Sequence, residues 1–465
     1  MRLFDSMTRE LRELKPIDHE TFRFYCCGPT VYGPAHIGNF RTFVMNDVLR
    51  RVLEIGGMAT YHVRNITDVD DKTIRGANEA QLPLSDFTGQ WLRRFHEDCE
   101  QLNCLPPHLE PSAVEHLPQQ IEMISTLIEK GNAYAPGDGS VYFRISSFEE
   151  YGRLSRLDTR ELDLGRTQEQ RAGNQADEYE KDSISDFVLW KGRRPEDGDI
   201  FWESPWGDGR PGWHLECSAM IKEYLGDSFD LHGGGEDLAF PHHENEIAQS
   251  RCACGGEFAQ HWFHGAHLLV DGRKMAKSAG TVYTLDDLAE KGFNAAEVRY
   301  ELLSVYYRRQ ANFTLDSLHA KREALLKLAK AEQKLKDEVA AEEEAPSYDS
   351  LRGLSDFGVF GTAWNALQDD LNTADGIGQM FSALKTASTR ADWVGLHAIL
   401  AALGLQLPEL GGEEEIPAEV KALADQRWEA RQAKDWARSD ELRDALKEAG
   451  WVAKDGSDGY TLERV

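Results

Sequence analysis

The chain has 465 residues, 41% hydrophobic and 28% charged, and its 52 basic against 80 acidic side chains leave a net charge of −28. It is too long for one core, so about three domains are expected, and no apolar run approaches the roughly 20 residues of a membrane span. Arg2, Asp5, Arg9 and Glu10 occupy the place where a secretory signal needs an apolar stretch, so a cytoplasmic enzyme is expected. The acidic balance argues against a nucleic-acid partner only globally, because binding needs no more than a local basic surface. Seven cysteines, at 26, 27, 99, 104, 217, 252 and 254, lack the spacing of a small secreted domain. Metal ligation or plain burial is therefore expected ahead of a disulfide framework.

In chain order, Thr21 to Cys27 reads as a buried strand ending at Gly28-Pro29, Phe40 to Gly56 as a helix with apolar residues at 43, 44, 48, 49, 52 and 53, and Ala59 to Ile66 as a second strand. This β-α-β unit predicts a parallel sheet with ligand-binding loops at the strand C-termini. No G-x-G-x-x-G follows the first strand, which disfavours a dinucleotide fold. In its place stands His36-Ile37-Gly38-Asn39, where an imidazole and the N–H groups of a helix start can hold anionic phosphates.

The pattern is helical from about Leu82 to Lys130, and Tyr134 to Phe143, with Asp138-Gly139 inside, reads as a hairpin. The polar stretch 166–185 lacks periodicity and is expected to be a surface loop or disordered. The region from about 77 to 185 thus looks like an insertion between two halves of the sheet. Asp186 to Trp190, Phe229 to His232 and Leu268 to Val270 are short apolar segments suited to the second half. Lys274-Met275-Ala276-Lys277-Ser278 then places two ammonium groups and a hydroxyl in a loop bounded by Gly272 and Gly280. Beyond Thr281 the pattern is helical, through Leu285 to Tyr307, Leu315 to Glu343 and, with breaks, Phe357 to Leu403. A linker at Gly411 to Pro417 leads to a helix pair, Ala418 to Lys434 and Ala437 to Ala449, and a hairpin around Asp455-Gly456. The expected domains are 1–285, 286–410 and 411–465.

Cys27, Cys217, His242 and Glu246 supply two thiolates, an imidazole and a carboxylate, a plausible zinc set whose last two members share a helix face at i, i+4. A lone Cys is more often a small buried hydrophobe and a His-rich turn a helix cap, so these residues alone leave the choice open. Cys252-Ala253-Cys254 reads as two half-buried thiols.

The His-Ile-Gly-Asn and Lys-Met-Ala-Lys-Ser segments, in this order, resemble the two signature motifs of class I aminoacyl-tRNA synthetases. Cys27 to Tyr32 (CGPTVY), Asn65 to Lys72 (NITDVDDK), Gly209 to Met220 (GRPGWHLECSAM), His232 to Leu238 (HGGGEDL) and Phe240 to Glu246 (FPHHENE) look like the cysteinyl-tRNA synthetase family. The likeness runs through the whole chain to Arg431 to Trp436, similar to that family's anticodon-binding end. It implies an α/β fold: a Rossmann-like catalytic domain with an insertion, an α-helical bundle and a small C-terminal anticodon-binding module.

By resemblance, the zinc ligands fall at Cys27, Cys217, His242 and Glu246, with one Zn²⁺ per subunit. Cys27, Thr67, Trp213 and His232 would form the cysteine site. His36, Gly38, Asn39, Asp237, Lys274, Lys277 and Ser278 would bind ATP with its Mg²⁺. His36, Lys274 and Lys277 would stabilise charge at the reacting phosphate. Partners are then ATP, L-cysteine and tRNA(Cys), and the expected state is a monomer with no membrane association. Asn39 stands where the class namesake has His, and Ala276 where it has Ser. The metal also has a chemical rationale: serine is nearly isosteric with cysteine, and shape separates such pairs by only about 1–3 kcal/mol, whereas a thiolate bonds soft zinc far better than a neutral hydroxyl does. The module 420–465 is nearly neutral, with Trp428, Trp436 and Trp451 for stacking on unpaired bases. Two other readings are a ligase that delivers cysteine to a small amine, which would lack this module, and an inactive RNA-binding paralogue.

Overall fold

The computed structural model describes residues 1–157, 186–275, 281–339, 344–410, 417–455 and 459–464. The stretch expected to be a surface loop, 166–185, lies outside them, as do Ala276, Lys277, Ser278 and the tip of the C-terminal hairpin. The chain divides into two compact units, 1–408 and 409–465.

The first unit is built on a four-stranded parallel sheet in the order Trp262–Gly265, Leu231–Gly235, Thr21–Cys26, Ala59–Arg64. Helix Ile37–Ile55 is the crossover between Thr21–Cys26 and its neighbour Ala59–Arg64, the connection expected of adjacent parallel strands. Phe40, Val44, Val48, Leu49 and Val52 are at most 1% exposed, so the helix is held by burial on the sheet and not by its surface. Its charged residues Asp47, Arg50, Arg51 and Glu54 are buried as well, and each has a partner. Arg51 Nε bonds Asp47 Oδ2 at 2.8 Å and Arg50 Nε bonds Glu54 Oε1 at 2.7 Å. From helix Ala295–Leu303, Arg299 reaches the same Asp47 carboxylate and donates to the Leu403 carbonyl. All four strands point their C-terminal ends the same way. The functional loops 27–39, 65–70 and 236–242 leave from that edge, where a parallel sheet presents its ligand crevice.

Two expectations change. Of the segments assigned to the second half of the sheet, only Leu231–Gly235 joins it, and its outer neighbour is Trp262–Gly265. Phe187–Gly192 pairs antiparallel with Val141–Phe143 and Gly209–Pro211 in a separate four-stranded sheet that also holds Ala133–Tyr134. Its apolar face has a different place to go, a cluster of Phe143, Phe187, Leu189, Trp190 and Leu215. Leu268–Val270 pairs with Arg273–Lys274 and Ala311–Phe313 in a third small sheet. A short apolar run does not say which sheet buries it.

The helical segment beyond 285 shares one continuous hydrophobic cluster with the parallel sheet, running from Leu3, Phe24 and Val44 to Leu318, Trp393 and Leu403. In the second unit, helices Ala418–Gln432 and Trp436–Glu448 pack with the hairpin Trp451–Asp455/Tyr460–Arg464 around Val420, Ala424, Leu446 and Trp451. Trp451 is therefore core, whereas Trp436 is 57% exposed.

Candidate active site and metal centre

His36 is the N-cap of helix Ile37–Ile55 and forms a reciprocal box with Asn39. Asn39 Oδ1 accepts from the His36 backbone N–H at 3.1 Å, and the Asn39 N–H donates to His36 Nδ1 at 3.2 Å. The fourth motif residue thus closes the helix start, a role an amide fills well. Because Nδ1 accepts, the neutral imidazole carries its proton on Nε2 and can donate from there. Gly38 is where the two motifs meet: a Cβ on it would stand 2.0 Å from Met275 Cε and 3.1 Å from the His36 ring. The Ile37 N–H donates to the Tyr283 carbonyl at 2.9 Å, so the chain on the far side of the second motif is also tied to this helix start. Lys274 lies in the short strand Arg273–Lys274. Lys277 and Ser278 fall outside the described residues. Asp237, in the turn after Leu231–Gly235, is exposed at the same sheet edge.

Beside this loop the sheet and two helices bring the four proposed ligands together. Cys27 follows the strand Thr21–Cys26, Cys217 sits on helix Trp213–Leu225, and His242 and Glu246 sit one turn apart on helix His242–Cys254. The two helices are bonded through Gln249 Nε2 to Ser218 Oγ at 2.7 Å. Gly28 lets the first strand's exit approach its neighbour, since a Cβ there would fall 1.6 Å from the Asn65 carbonyl oxygen. All four side chains are buried, Cys27 the most accessible at 8%. Cys217 Sγ lies 3.6 Å from His242 Nε2, Cys27 Sγ 3.9 Å from Glu246 Oε1, and His242 Nε2 2.9 Å from the same oxygen. A tetrahedral zinc with metal–sulfur bonds of about 2.3 Å and metal–nitrogen bonds of about 2.0 Å has donor-to-donor edges of roughly 3.3–3.8 Å, so the donor set fits, the two sulfur distances stand at or close to that range, and the 2.9 Å contact between His242 and Glu246 is a hydrogen bond that must open slightly to admit the ion.

Among the described residues the donors form two overlapping sets, Cys27, Cys217, His242, Glu246 and Cys27, His232, His243, Glu246. The first has two thiols, the softer and more zinc-like combination. The second set's histidines instead support it. His232 Nε2 bonds Glu246 Oε2 at 2.8 Å, and His243 Nε2 lies 3.4 Å from Cys27 Sγ while its Nδ1 meets His264 Nε2 at 2.8 Å. His214 Nδ1 lies 2.9 Å from His242 Nδ1, leaving His242 Nε2 to face the cluster, and Trp213 stacks on the same ring at 4.1 Å. Such partners fix ring orientation and ligand basicity. His214, His243 and His264 escaped the sequence reading of the site; two stand inside quoted motifs, but nothing in their spacing says that they face one centre. Thr67, fully buried, pairs through its backbone with Pro29 and Val31 and accepts from Asn65 Nδ2 at 3.1 Å.

Charge is balanced tightly here. Burial works against a charged His242, but Glu246 and Cys217 hold it up at about 10. Burial opposes ionisation of Glu246 too, yet His232 and His242 keep its carboxyl at about 2. Cys27 is pushed well up by burial and by its neighbours Cys217 and Glu246. Burial also raises Cys217, but the hydrogen bond from Cys27 and the His242 ring bring it down to about 6. The cluster therefore concentrates negative charge and keeps it by holding protons on Cys27 and His242, which are the protons a divalent cation displaces on binding.

Residues 13–323 match the family model described as tRNA synthetases class I (C) catalytic domain, and residues 413–461 match the Cysteinyl-tRNA ligase anticodon binding domain. The cysteine–tRNA ligase of Opitutus terrae is 53% identical over 467 residues, covering 100% of this chain and 99% of that relative. The cysteine–tRNA ligase of Chlamydia pneumoniae is 44% identical, over 98% of this chain and 97% of its own length. Among solved structures, Mycobacterium tuberculosis methionyl-tRNA synthetase in complex with methionyl-adenylate superposes with a TM-score of 0.59 at 13% identity, covering 83% of this chain and 89% of that one. The ternary complex of Agrobacterium radiobacter LeuRS with tRNA and LeuAMS gives 0.56 at 12% identity, with 83% of each chain covered. These two likenesses are likenesses of fold.

Proposed function

The chain belongs to the cysteine–tRNA ligase family of class I aminoacyl-tRNA synthetases, and from that membership we propose how its own residues divide the work. The cysteine carboxylate attacks the α-phosphorus of ATP, the bond to the bridging oxygen breaks, and pyrophosphate leaves. The 2′-hydroxyl of the terminal tRNA adenosine then attacks the acyl carbon and releases AMP. His36 donates from Nε2, and the N–H groups around Gly38 face the phosphates from a helix start. Lys274 and Lys277 balance the charge that builds on the phosphate and on the departing pyrophosphate. Asn39 keeps His36 in the donating tautomer, and Asp237 binds the ribose.

Cys27, Cys217, His242 and Glu246 hold a zinc ion, which supplies, when bound, a soft Lewis-acid partner for the substrate thiolate. His232 keeps Glu246 ionised, and His214 and Trp213 fix the His242 ring. Trp213, Thr67 and His232 would wall the cysteine pocket. One observation carries this reading: a thiol-rich donor cluster with ligand spacing lies on the same sheet edge as the helix start where both nucleotide motifs meet. Mg²⁺ accompanies ATP, and the unit 409–465 reads the anticodon with Trp436 as an open stacking face. No helix among the described residues is long and apolar enough to cross a membrane, and we place the reaction in the cytoplasm, carried out by a monomer.

The test is cysteine-dependent ATP–pyrophosphate exchange with serine as control, before and after zinc chelation, followed by tRNA charging. Exchange that ignores cysteine overturns the reading. Exchange without charging points to a small-amine acceptor, and a preference for cysteine over serine that survives chelation undiminished removes zinc from the selectivity argument.

A further inference from the structure

Helix Leu84–Gln101 ends in a geometry that brings two cysteines together. The Cys104 N–H donates to the Cys99 carbonyl at 2.8 Å, the Asn103 N–H donates to the Glu100 carbonyl at 2.8 Å, and Asn103 adopts a left-handed φ of 54°. This is the Schellman closure, in which the residue three before the helix cap, here Leu102, and the residue two beyond it are brought into side-chain contact. Here those two residues are Cys99 and Cys104, packed in the same cluster, with each thiol shifting the ionisation of the other. In most helices that contact is apolar, and here it is a dithiol.

The surroundings distinguish the two sulfurs. Cys99 is buried at 6% exposure, whereas Cys104 is partly open. Arg299 Nη1 donates to Cys104 Sγ at 3.6 Å. Pairing with Cys99, together with Arg299 and Arg64, lowers the Cys104 thiol against the opposing effects of burial, the Asp47 carboxylate and the helix C-terminus. Cys99 moves the other way, pushed up chiefly by its bond to Cys104 and by burial. The pair has a more open sulfur that ionises the more readily and a buried partner, the division of labour of a redox dithiol. The remaining thiols lack it: burial raises Cys26, Cys252 and Cys254, and Cys27 and Cys217 belong to the metal cluster.

The loop is also held ready. Arg51 Nη2 and Arg299 Nη1 donate to the Asn103 and Leu102 carbonyls at 2.7 Å each, the Leu105 N–H donates to Asp47 Oδ1 at 2.8 Å, and Asn103 Nδ2 bonds the Gly404 carbonyl at 2.9 Å. The Cys104 N–H bond to the Cys99 carbonyl already holds the two backbones side by side.

We propose that Cys99 and Cys104 form a reversible redox pair, oxidised by hydroperoxides to an intrachain disulfide. The Cys104 thiolate attacks the peroxide, its sulfur takes one oxygen to become a sulfenic acid, and the other oxygen leaves as water or an alcohol. The Cys99 sulfur then attacks the sulfenic sulfur, the S–S bond forms, and the hydroxyl leaves with the Cys99 proton as water. Added dithiol reductant reverses the step.

The test uses the full-length, zinc-loaded protein treated with hydrogen peroxide, then denatured, alkylated and mapped by mass spectrometry. The expected product is lighter by two hydrogen atoms, alkylates two fewer than its seven cysteines, contains a Cys99–Cys104 cross-linked peptide, and reverts with dithiothreitol. Cys99→Ser should stop at a Cys104 sulfenic acid captured by a dimedone probe, and Cys104→Ser should react with peroxide at least tenfold more slowly at this site. The proposal is overturned if both cysteines stay fully alkylatable while others oxidise, or if Cys104→Ser loses the Cys99 thiol as fast as the unsubstituted protein does. The mapping of the unsubstituted protein decides the matter even where a variant folds poorly.

Discussion

Replacing Gly38 with alanine tests whether contact between the two motifs positions the adenylation chemistry. The new methyl would stand 2.0 Å from Met275 Cε and 3.1 Å from two atoms of the His36 ring. Carbon atoms pack at about 3.5–4.0 Å, so the Met275 terminus must retreat by about 1.5 Å or the helix start must give way. Two effects on stability oppose each other. Alanine is favoured over glycine within a helix by about 1 kcal/mol, and overpacking costs about 1–3 kcal/mol. Because a methionine end is flexible, the net loss should be small, about 1 kcal/mol. Catalysis is less forgiving: a misplacement of about 1 Å can cost about 100-fold, and the methyl pushes on both His36 and Met275, the latter inside the second motif. The expected outcome is a 10- to 100-fold fall in cysteine-dependent ATP–pyrophosphate exchange, with a melting temperature lowered by only a few degrees. Combining Gly38→Ala with Met275→Ala removes the obstacle and should recover most of the loss relative to Met275→Ala alone, a coupling of at least about 1 kcal/mol. Exchange within twofold of the unsubstituted protein, or a double variant no better than the single one, would refute the positioning argument.

At the metal cluster, Cys217→Ser replaces a thiolate held at about 6 by a hydroxyl that does not ionise. Bound zinc, measured by atomic emission, and cysteine affinity should fall together, and a variant that keeps both would mean that the ligand set is wrong. Acid should unfold the first unit through its paired carboxylates. Burial works against ionisation of Asp47 and Asp71, but Arg51 and Arg299, and Lys191 and Arg210, hold them below the usual range. A depressed carboxylate contributes stability that is fully present above about pH 4 and is lost as pH falls through its lowered value. Calorimetric melting temperatures should begin to decline below about pH 6.5, where the unfolded chain charges histidines such as His62 and His261 that burial keeps neutral in the fold, and fall steeply below about pH 4, and Asp47→Asn should start lower and lose less in that last step; a melting temperature that climbs between pH 5 and pH 3 contradicts this. In the second unit, Trp436→Ala removes an open face without touching the core, so charging of tRNA(Cys) should lose about 1–3 kcal/mol in kcat/KM while exchange is unchanged. Equal losses in both assays would place the effect in folding.

What the sequence made legible follows from how local each signal is. The strand, turn and helix of 21–55 carry their own periodicity, and so does the helix pair of the last unit, because those patterns describe faces buried by near neighbours. Phe187–Gly192 and Leu268–Val270 were misplaced because an apolar run of about five residues is compatible with any sheet that will cover it; the deciding partners, Val141–Phe143 and Ala311–Phe313, lie over 40 residues away in sequence. The four proposed ligands were legible as residue types, but the spacing that makes them a cluster comes from three separate elements meeting. Asn39 shows the same limit on a smaller scale. Read as a departure from a motif, it looks like a lost contact at the phosphate, whereas in the structure its side chain closes the helix start and its backbone N–H sets the His36 tautomer. Its effect on the reaction therefore runs through His36. Asn39→Ala would leave the backbone N–H bond to Nδ1 in place and remove only the side-chain half of the box, so what it weakens is the hold on the loop, not the proton on Nε2.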